Sequence, residues 1–323
     1  MAAIIQIQDL TKRYGTRTAV DQLNLEVQEG DIFGFVGPNG AGKTSTIRMI
    51  ATLLQPSGGE ILVGGHSVQR EPRQVRSLIG YMPDFFGVYH DMKVWEYLDF
   101  FAACYGIREA ERSRLIADLL ELVDLGHRQE DMVDSLSRGM KQRLSLARTL
   151  IHDPQVLLLD EPASGLDPRA RVEIRELLLE LARMGKTIFF STHILADVAE
   201  VCTRVSILEA GKLVAAGSLE DLHRQLMPVR QIEIVVLGEA EPAEKVLLAT
   251  AGLTITQVQA APQGGEDGHP PRSTLQVELA GDDEALSELL QRLVASGVRV
   301  VHFSEDRRDL EEVFMRATRG LVT

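Results

Sequence analysis

A glycine-rich segment, residues 37–45 (GPNGAGKTS), has the residue types and spacing that hold phosphate groups. Its glycines allow backbone conformations closed to residues with a Cβ, so successive N–H groups can point at phosphate oxygens. Lys43 supplies an ammonium for the β- and γ-phosphates, and Thr44 supplies a hydroxyl for Mg²⁺. An apolar run, 32–36, precedes the segment and a predicted helix, 44–54, follows it, which is the context that a P-loop requires. The residues predicted to cradle a nucleotide are Gly37, Pro38, Asn39, Gly40, Ala41, Gly42, Lys43, Thr44 and Ser45.

Two acidic residues, Asp160 and Glu161, directly follow a second apolar run, 155–159. Such a run predicts a buried parallel strand, and ligands of open α/β sheets lie at the carboxyl ends of these strands. Beside a P-loop, Asp160 has the position to hold Mg²⁺, directly or through water. Glu161 could polarise a water that attacks the γ-phosphate, or it could be a second electrostatic or structural acid. His193 ends a third apolar run; a lone histidine is more often structural, but its place at the same sheet edge favours a γ-phosphate contact.

Two further features are weak when each is taken alone. Tyr14 could be an ordinary surface or core tyrosine, or an aromatic platform for a purine. Ser137 can cap a helix predicted over 134–150, and a helix N-terminus with a free hydroxyl and a glycine, Gly139, can also bind an anion. By itself, this second feature indicates an ordinary capped helix.

The elements that must position these residues follow from periodicity. Alternating residues at 4–8 and 23–27 predict antiparallel strands ahead of the P-loop. An aromatic-rich helix is predicted over 94–105, and most of its aromatic side chains are expected in the core of a small helical subdomain. The aromatic residues of the hydrophobic loop 85–89 could instead form an exposed surface that binds a partner. A helix over 112–125 follows the aromatic one.

The last part of the chain, 229–323, is predicted to be a separate α+β unit. Its pattern is strand, helix, strand, strand, helix, strand, which suggests a ferredoxin-like domain. The predicted elements are strands over 232–237, 254–259, 274–279 and 298–303, and helices over 241–250, 283–296 and 310–319. No catalytic set of residues is recognisable there, so we expect a dimer-stabilising or regulatory role.

Composition restricts the function classes. The chain has 323 residues and a net charge of −13, which argues against a dedicated nucleic-acid binder, since such a protein needs a basic surface. Two widely separated cysteines fit no metal spacing and indicate reduced thiols in a cytosolic protein. The sequence has no basic leader before an apolar stretch and no run of 18 apolar residues. We therefore expect a cytoplasmic chain that relies on another chain for any membrane span.

Taken together, the motifs resemble those of one family. Tyr14, GPNGAGKTS, LSRGMKQR, VLLLDEP, SGLD and STH occur in the order and approximate spacing of the nucleotide-binding subunits of ATP-binding cassette (ABC) transporters, over about residues 1–225. The resemblance implies an α/β P-loop NTPase fold with an antiparallel β subdomain and a helical subdomain at about 85–150. It also implies the cofactors ATP and Mg²⁺.

The resemblance also implies a role for each matching residue. Tyr14 would stack on adenine, Thr44 and Asp160 would hold Mg²⁺, Glu161 would be the general base, and His193 would contact the γ-phosphate. Ser137 and Gly139 would contact ATP bound to a second copy of the chain. Asp167 would signal across that homodimer.

Two departures from the family pattern affect these roles. Asp84 stands where the family usually has glutamine; it is shorter and lacks an amide donor, but it could reach Mg²⁺ through water. Arg138 and Met140 replace the first glycine and the glutamine of the usual LSGGQ signature. Because Ser137 and Gly139 remain, we expect an active ATPase, which these departures could slow.

The ending DLEEVFMRATRG resembles the tail of ATPases that serve the ABC-2 group of exporters, whose cargoes include drugs, polysaccharides and lipids. We therefore predict an ATP-hydrolysing homodimer that docks on separate polytopic membrane permease subunits at the inner face of the cell membrane, with no nucleic-acid partner. The alternative is a soluble regulatory ABC ATPase without a transport partner.

Overall fold

The described residues divide into two units, 3–219 together with 318, and 220–314. A computed structural model describes residues 3–85, 87, 91–226, 230–259, 271–305, 314 and 318. The helix predicted over 310–319 and most of the hydrophobic loop 85–89 therefore lie outside the described residues, apart from single positions. Among the described residues, every helix is too short or too polar to cross a bilayer.

The strands of the first unit form two sheets. In chain order they are β1 (Ala3–Tyr14), β2 (Arg17–Gln28), β3 (Ile32–Val36), β4 (Gly58–Val63), β5 (His66–Ser67), β6 (Ile79–Met82), β7 (Val156–Asp160), β8 (Thr187–Thr192), β9 (Arg204–Glu209) and β10 (Lys212–Gly217). The first sheet is antiparallel, in the order β2-β1-β4-β5, as the alternating pattern predicts. The second has the order β10-β9-β3-β8-β7-β6 and is parallel except for β10.

Helices surround these sheets. They are α1 (Lys43–Ile50), α2 (Pro72–Leu78), α3 (Val94–Cys104), α4 (Glu109–Leu122), α5 (Arg138–Leu150), α6 (Pro168–Arg183) and α7 (Leu195–Val201). The helix predicted over 134–150 starts too early, because a 3₁₀ turn at Val133–Ser135 is followed by extended backbone at Leu136 and Ser137. Ser137 is the N-cap of α5, as predicted, and its side chain accepts a hydrogen bond from the Met140 N–H.

The middle of the second sheet determines where chemistry can occur. Every residue of β3, β7 and β8 is buried, as expected for parallel strands covered on both faces. Val36 pairs with Thr192, and Asp160 pairs with Ser191. The carboxyl ends of the three strands are therefore level, so the segments that follow them meet at one edge.

The helical subdomain is built from α3, α4 and α5, which pack against one another. Tyr97 is fully buried in it, and Arg148 donates a hydrogen bond to the Tyr97 hydroxyl (3.2 Å). Trp95, Phe100 and Tyr105 are exposed and Phe101 is half-buried, so the expectation that most of these aromatics form core is wrong. Phe85 is 80% exposed at the start of the predicted docking loop.

The second unit has the predicted strand–helix order. Its elements are α8 (Leu219–Leu226), β11 (Arg230–Leu237), α9 (Glu241–Leu248), β12 (Leu253–Gln259), β13 (Arg272–Leu279), α10 (Asp283–Ala295) and β14 (Val300–Glu305). The sheet has the order β12-β13-β11-β14 and every pair is antiparallel, which is the ferredoxin-like arrangement. One face of the sheet packs on α9 and α10 through Ile232, Ile234, Val236, Leu275, Val277, Ala243, Leu247, Leu289 and Leu293.

Candidate nucleotide site

The loop between β3 and α1 is shaped by two glycines that tolerate no side chain. Gly42 has φ +105°, and a Cβ built on it would lie 2.4 Å from the Ala19 carbonyl oxygen on β2. A Cβ on Gly37 would lie 2.5 Å from the Leu208 carbonyl oxygen on β9. The loop is therefore wedged between the two sheets of the first unit, and only glycine allows this approach.

Lys43, the first residue of α1, points back over this loop. Its side chain is 6% exposed, and Nζ donates hydrogen bonds to the carbonyl oxygens of Gly37 (2.7 Å) and Pro38 (3.3 Å). Nζ also lies 3.3 Å from Glu161 Oε1. The ammonium is thus held where a phosphate group on the loop would meet it.

Asp160, the last residue of β7, is buried and accepts two hydroxyl hydrogen bonds. Ser191 donates to its Oδ1 over 2.7 Å, and Thr44 donates to the same atom over 3.2 Å. Burial raises the pKa of Asp160; the hydrogen bonds from Ser191 and Thr44 lower it, and the nearby charges of Asp84 and Glu161 raise it further. A cation near this carboxylate would offset the cost of burying its charge.

The oxygen-rich donor set fits Mg²⁺. The hydroxyl of Thr44 and the carboxylates of Asp160 and Asp84 are hard oxygen ligands of the kind that Mg²⁺ prefers. Within the described residues, no three His, Cys, Asp or Glu side chains form a complete protein cage for a metal. Mg²⁺ usually binds through one or two protein groups together with waters and substrate phosphates.

Glu161 adopts an unusual backbone conformation immediately after β7. Its φ is +52°, a left-handed conformation that costs a residue with a side chain roughly 1–2 kcal/mol. Its N–H donates to Ser191 Oγ (3.1 Å), which holds the turn. As a result the carboxylate lies between Lys43 and His193, with Oε2 2.8 Å from His193 Nδ1.

Lys43, Thr44, Asp84 and Glu161 open onto one cleft of about 520 Å³, whereas Asp160 and His193 are not among the residues that line it. It is lined by Tyr14, Arg17, Ala19, Asn39, Gly40, Gly42, Lys43, Thr44, Ser45, Asp84, Glu161 and Ser164. The structure therefore brings together residues from the P-loop, the β1–β2 hairpin and the ends of β6 and β7, most of which the motifs predict. The cleft is large enough and polar enough for a nucleotide.

Tyr14 lies at the mouth of this cleft. Its side chain is 48% exposed, its hydroxyl is 3.4 Å from Ser45 Oγ, and Lys12 Nζ lies 5.1 Å from the ring centroid. A half-exposed ring beside a phosphate loop is the arrangement that a base-stacking platform needs. Arg17 is a lining residue that the motifs do not indicate, and it pairs with Tyr14 across the hairpin turn.

Ser137, Gly139 and Asp167 do not line the cleft. Asp167 is the N-cap of α6 and accepts from the Ala170 N–H (3.0 Å), just as Ser137 caps α5. A Cβ on Gly139 would lie 3.1 Å from the Ala170 Cβ, so the starts of α5 and α6 are close neighbours. The three residues thus form a second group of predicted site residues on the same unit.

Comparisons with known proteins agree with this geometry. The family described as "ABC transporter" matches residues 20–164, and the family "ATP-binding protein DrrA1-3-like, C-terminal domain" matches residues 217–318. The chain is 40% identical to the Nod factor export ATP-binding protein I of Cupriavidus metallidurans, covering 79% of this chain and 84% of that protein. It is 29% identical to the linearmycin resistance ATP-binding protein LnrL of Bacillus subtilis, covering 98% of each.

A solved structure is also similar. The structure of an ATP-binding subunit of an ABC transporter has a TM-score of 0.62 and 32% sequence identity to this chain. The match covers 69% of this chain and 92% of that one. The similarity in fold thus agrees with the similarity in sequence.

Proposed function

Because this chain belongs to the ABC transporter family of ATP-binding proteins, we propose that it binds and hydrolyses ATP to power export through separate membrane permease subunits. The observation that carries the proposal is the convergence of Lys43, Glu161 and His193, with 3.3 Å and 2.8 Å between their charged or polar atoms. An ammonium, a carboxylate and an imidazole at the edge of a phosphate-binding loop are suited to breaking a phosphoanhydride bond.

Each group has a task in hydrolysis. Glu161 accepts a proton from the attacking water, and His193 holds the Glu161 carboxylate in place and contacts the γ-phosphate. Lys43 turns from Glu161 toward the phosphates when the nucleotide enters. Mg²⁺, when bound, offsets phosphate charge, and Thr44, Asp160 and Asp84 are the residues that would hold it, directly or through water.

The β1–β2 hairpin binds the base of the nucleotide. Tyr14 offers its ring to adenine, and the backbone N–H groups of residues 39–44 receive the phosphates. Ser45 contacts the Tyr14 hydroxyl, which connects the base end of the site to the phosphate end. This is the same residue set that the motifs predict.

A second copy of the chain completes the working unit in this proposal. Ser137 and Gly139 would face ATP held by the P-loop of the partner copy, and Asp167 would lie at the interface. The accessory unit, 229–323, would strengthen or regulate the homodimer. Two observations support this: these residues lie outside their own cleft, and both Ser137 and Asp167 begin helices whose N-termini favour an anion.

Export is the favoured direction, and the inner face of the cell membrane is the proposed location. The relatives named above are a Nod factor export protein and a linearmycin resistance protein. We extend from them to a drug, polysaccharide or lipid-like cargo. Phe85, at the start of the loop 85–89, is the residue we would first test for docking on the permease.

Size-exclusion chromatography with light scattering tests the proposal on the Glu161→Gln protein, with and without ATP and Mg²⁺. We expect a monomer that becomes a dimer only with ATP, together with measurable ATPase activity in the wild-type protein. A dimer under both conditions would assign dimerisation to the unit 229–323. Neither ATP binding nor hydrolysis in the wild-type protein, with the membrane subunit present, would refute the proposal.

A further inference from the structure

Arg138, the first residue of α5, contacts the loop that joins β7 to α6. Its Nη2 donates a hydrogen bond to the Ser164 carbonyl oxygen (3.0 Å). A Cβ built on the next residue, Gly165, would lie 2.4 Å from the Arg138 Cζ, so the guanidinium rests directly on the Gly165 backbone. Arg138 therefore occupies the space that a side chain at position 165 would need.

The loop that Arg138 contacts begins at Glu161. The Ser164 N–H donates to the Glu161 carbonyl oxygen (3.1 Å), which closes a turn directly after the proposed general base. Ser164 also lines the nucleotide cleft. The loop then ends at Asp167, the N-cap of α6. A displacement of Ser164 would therefore also displace the backbone of Glu161.

Glu161 is sensitive to such a movement. Its left-handed φ of +52° is costly and needs support from its surroundings. On one side the support comes from Ser191, which accepts from the Glu161 N–H. On the other side it comes from the turn that Ser164 closes and Arg138 holds.

We propose that Arg138 is a positioning residue that couples the start of α5 to Glu161 of the same subunit. This inference rests on the proposed function, because it assigns Glu161 to hydrolysis. Under that function, Ser137 and Gly139 sense the γ-phosphate at one site, and Arg138, between them, passes their position to the acid that serves the other site. The residue that departs from the usual glycine would thus link the two sites of the dimer.

A purely structural role for Arg138 would predict a lower thermal midpoint when its side chain is removed. The positioning role predicts a different outcome. Arg138 and Gly165 are both exposed, so their contact contributes little to global stability. Loss of the contact should therefore alter the local order of 161–167 and the rate of hydrolysis, while the thermal midpoint stays close to that of the wild type.

The experiment uses the purified full-length chain and four variants: Arg138→Ala, Arg138→Lys, Gly165→Ala and the double variant Arg138→Ala/Gly165→Ala. Arg169→Ala is the matched control, because Arg169 is 92% exposed on α6 and its guanidinium approaches Glu173 on the same helix. The readouts are hydrogen exchange of the amides at 161–167, kcat and KM for Mg·ATP, and the dissociation constant of a fluorescent ADP analogue.

We expect Arg138→Ala to speed exchange at 161–167 by about tenfold or more. We expect its kcat to fall by about 10- to 100-fold, with KM and ADP affinity within about twofold of wild type. Arg138→Lys keeps a donor and should be intermediate, whereas Arg169→Ala should match the wild type. Because Gly165 has a φ of +67°, Gly165→Ala also strains the backbone; the double variant should still lose less kcat than the product of the two single losses, since both changes break the same contact.

Three results would overturn the proposal. The first is unchanged exchange and kcat in Arg138→Ala. The second is a parallel loss of kcat, ADP affinity and thermal stability, which would indicate general damage. The third is additive effects of the two substitutions on kcat, which would mean that Arg138 acts on the partner's nucleotide rather than through the loop. The exchange measurement needs no hydrolysis, so it tests the tether even if the wild-type protein proves inactive.

Discussion

Lys43 and Glu161 form a buried ion pair across the nucleotide cleft, with Nζ 3.3 Å from Oε1. The proposed function gives the two groups different partners, since Lys43 is to meet phosphates and Glu161 is to meet water. Breaking a buried pair on one side leaves an uncompensated charge, which is costly. Nucleotide entry therefore has to replace the Glu161 carboxylate with another anion beside Lys43, and a γ-phosphate is suited to this.

Glu161→Gln should separate hydrolysis from binding. Loss of the general base should lower kcat by about 10²–10⁴-fold. Nucleotide affinity should stay equal or rise, since the Lys43 ammonium no longer pairs with a carboxylate. Phosphate release and a fluorescent nucleotide titration measure the two effects. Glu180→Gln, an exposed acid on α6, is the control; a kcat within tenfold of wild type in Glu161→Gln would contradict the assignment.

Tyr14 is predicted to bind the base through its ring. Tyr14→Phe should keep nucleotide affinity. Tyr14→Ala should weaken it by the free energy of stacking one base on an aromatic ring, about 1–3 kcal/mol. Isothermal titration with ADP and Mg²⁺ measures the difference. Equal affinities for Tyr14→Ala and the wild type would mean that the base binds elsewhere in the cleft.

Arg17 should assist binding through its charge. Arg17→Ala is expected to weaken nucleotide affinity by about 1.5–3 kcal/mol, the scale of a charge-assisted hydrogen bond. Arg13 is the matched control, since it lies in the same hairpin but does not line the cleft. The prediction fails if Arg13→Ala and Arg17→Ala weaken the binding of ADP to the same extent.

Ser137 has two predicted tasks that substitutions can separate. Ser137→Ala removes the cap of α5 and should cost about 0.5–2 kcal/mol of stability. Ser137→Asp keeps a capping oxygen but adds a negative charge, so the fold should keep its stability while ATP-dependent dimerisation is lost. Chemical denaturation and light scattering in the Glu161→Gln background measure both quantities. A Ser137→Asp protein that still dimerises with ATP would exclude Ser137 from the γ-phosphate contact.

Asp160 predicts a pH dependence of stability. Its pKa in the native state is raised, chiefly by burial, so the native state favours the protonated acid more than the unfolded state does. The resulting penalty is absent below the ordinary aspartate pKa and grows as pH rises through the native pKa. In EDTA, Asp160→Asn should therefore melt higher than the wild type at pH 7.5, and this difference should shrink toward pH 4.

Asp118→Asn is the control for that series, because Asp118 is an exposed acid on α4. It should follow the wild-type melting curve at each pH. A difference between Asp160→Asn and the wild type that is the same at pH 4 and pH 7.5 would show that the buried charge is not its cause.

Much of the site could be predicted because its chemistry is local in sequence. The P-loop, Asp160 with Glu161, and His193 each follow an apolar run, and parallel strands deliver such segments to one edge. The ferredoxin-like order of the second unit was also predictable, since its strands alternate with helices at clear spacing, and the structure confirms that order.

The rest depends on contacts between distant residues. Arg17 enters the cleft because of the register of the β1–β2 hairpin, and Arg138 meets Gly165 because α5 and α6 start side by side. Neither relationship leaves a pattern in the sequence. The sequence pattern also does not indicate the β9–β10 hairpin, and it predicts the start of α5 too early because capping geometry, rather than composition, ends the extended backbone before it.

The close approach of Gly42 to Ala19 has a consequence for the length of the ligand that the site accepts. Ala19 on β2 and Tyr14 on β1 belong to one hairpin, so the hairpin that contacts the phosphate loop also carries the ring proposed for the base. The hairpin therefore fixes the distance between the ring proposed to bind the base and the loop that binds the phosphates. We expect an insertion in its turn to change which nucleotides fit, although every contacting side chain would remain the same.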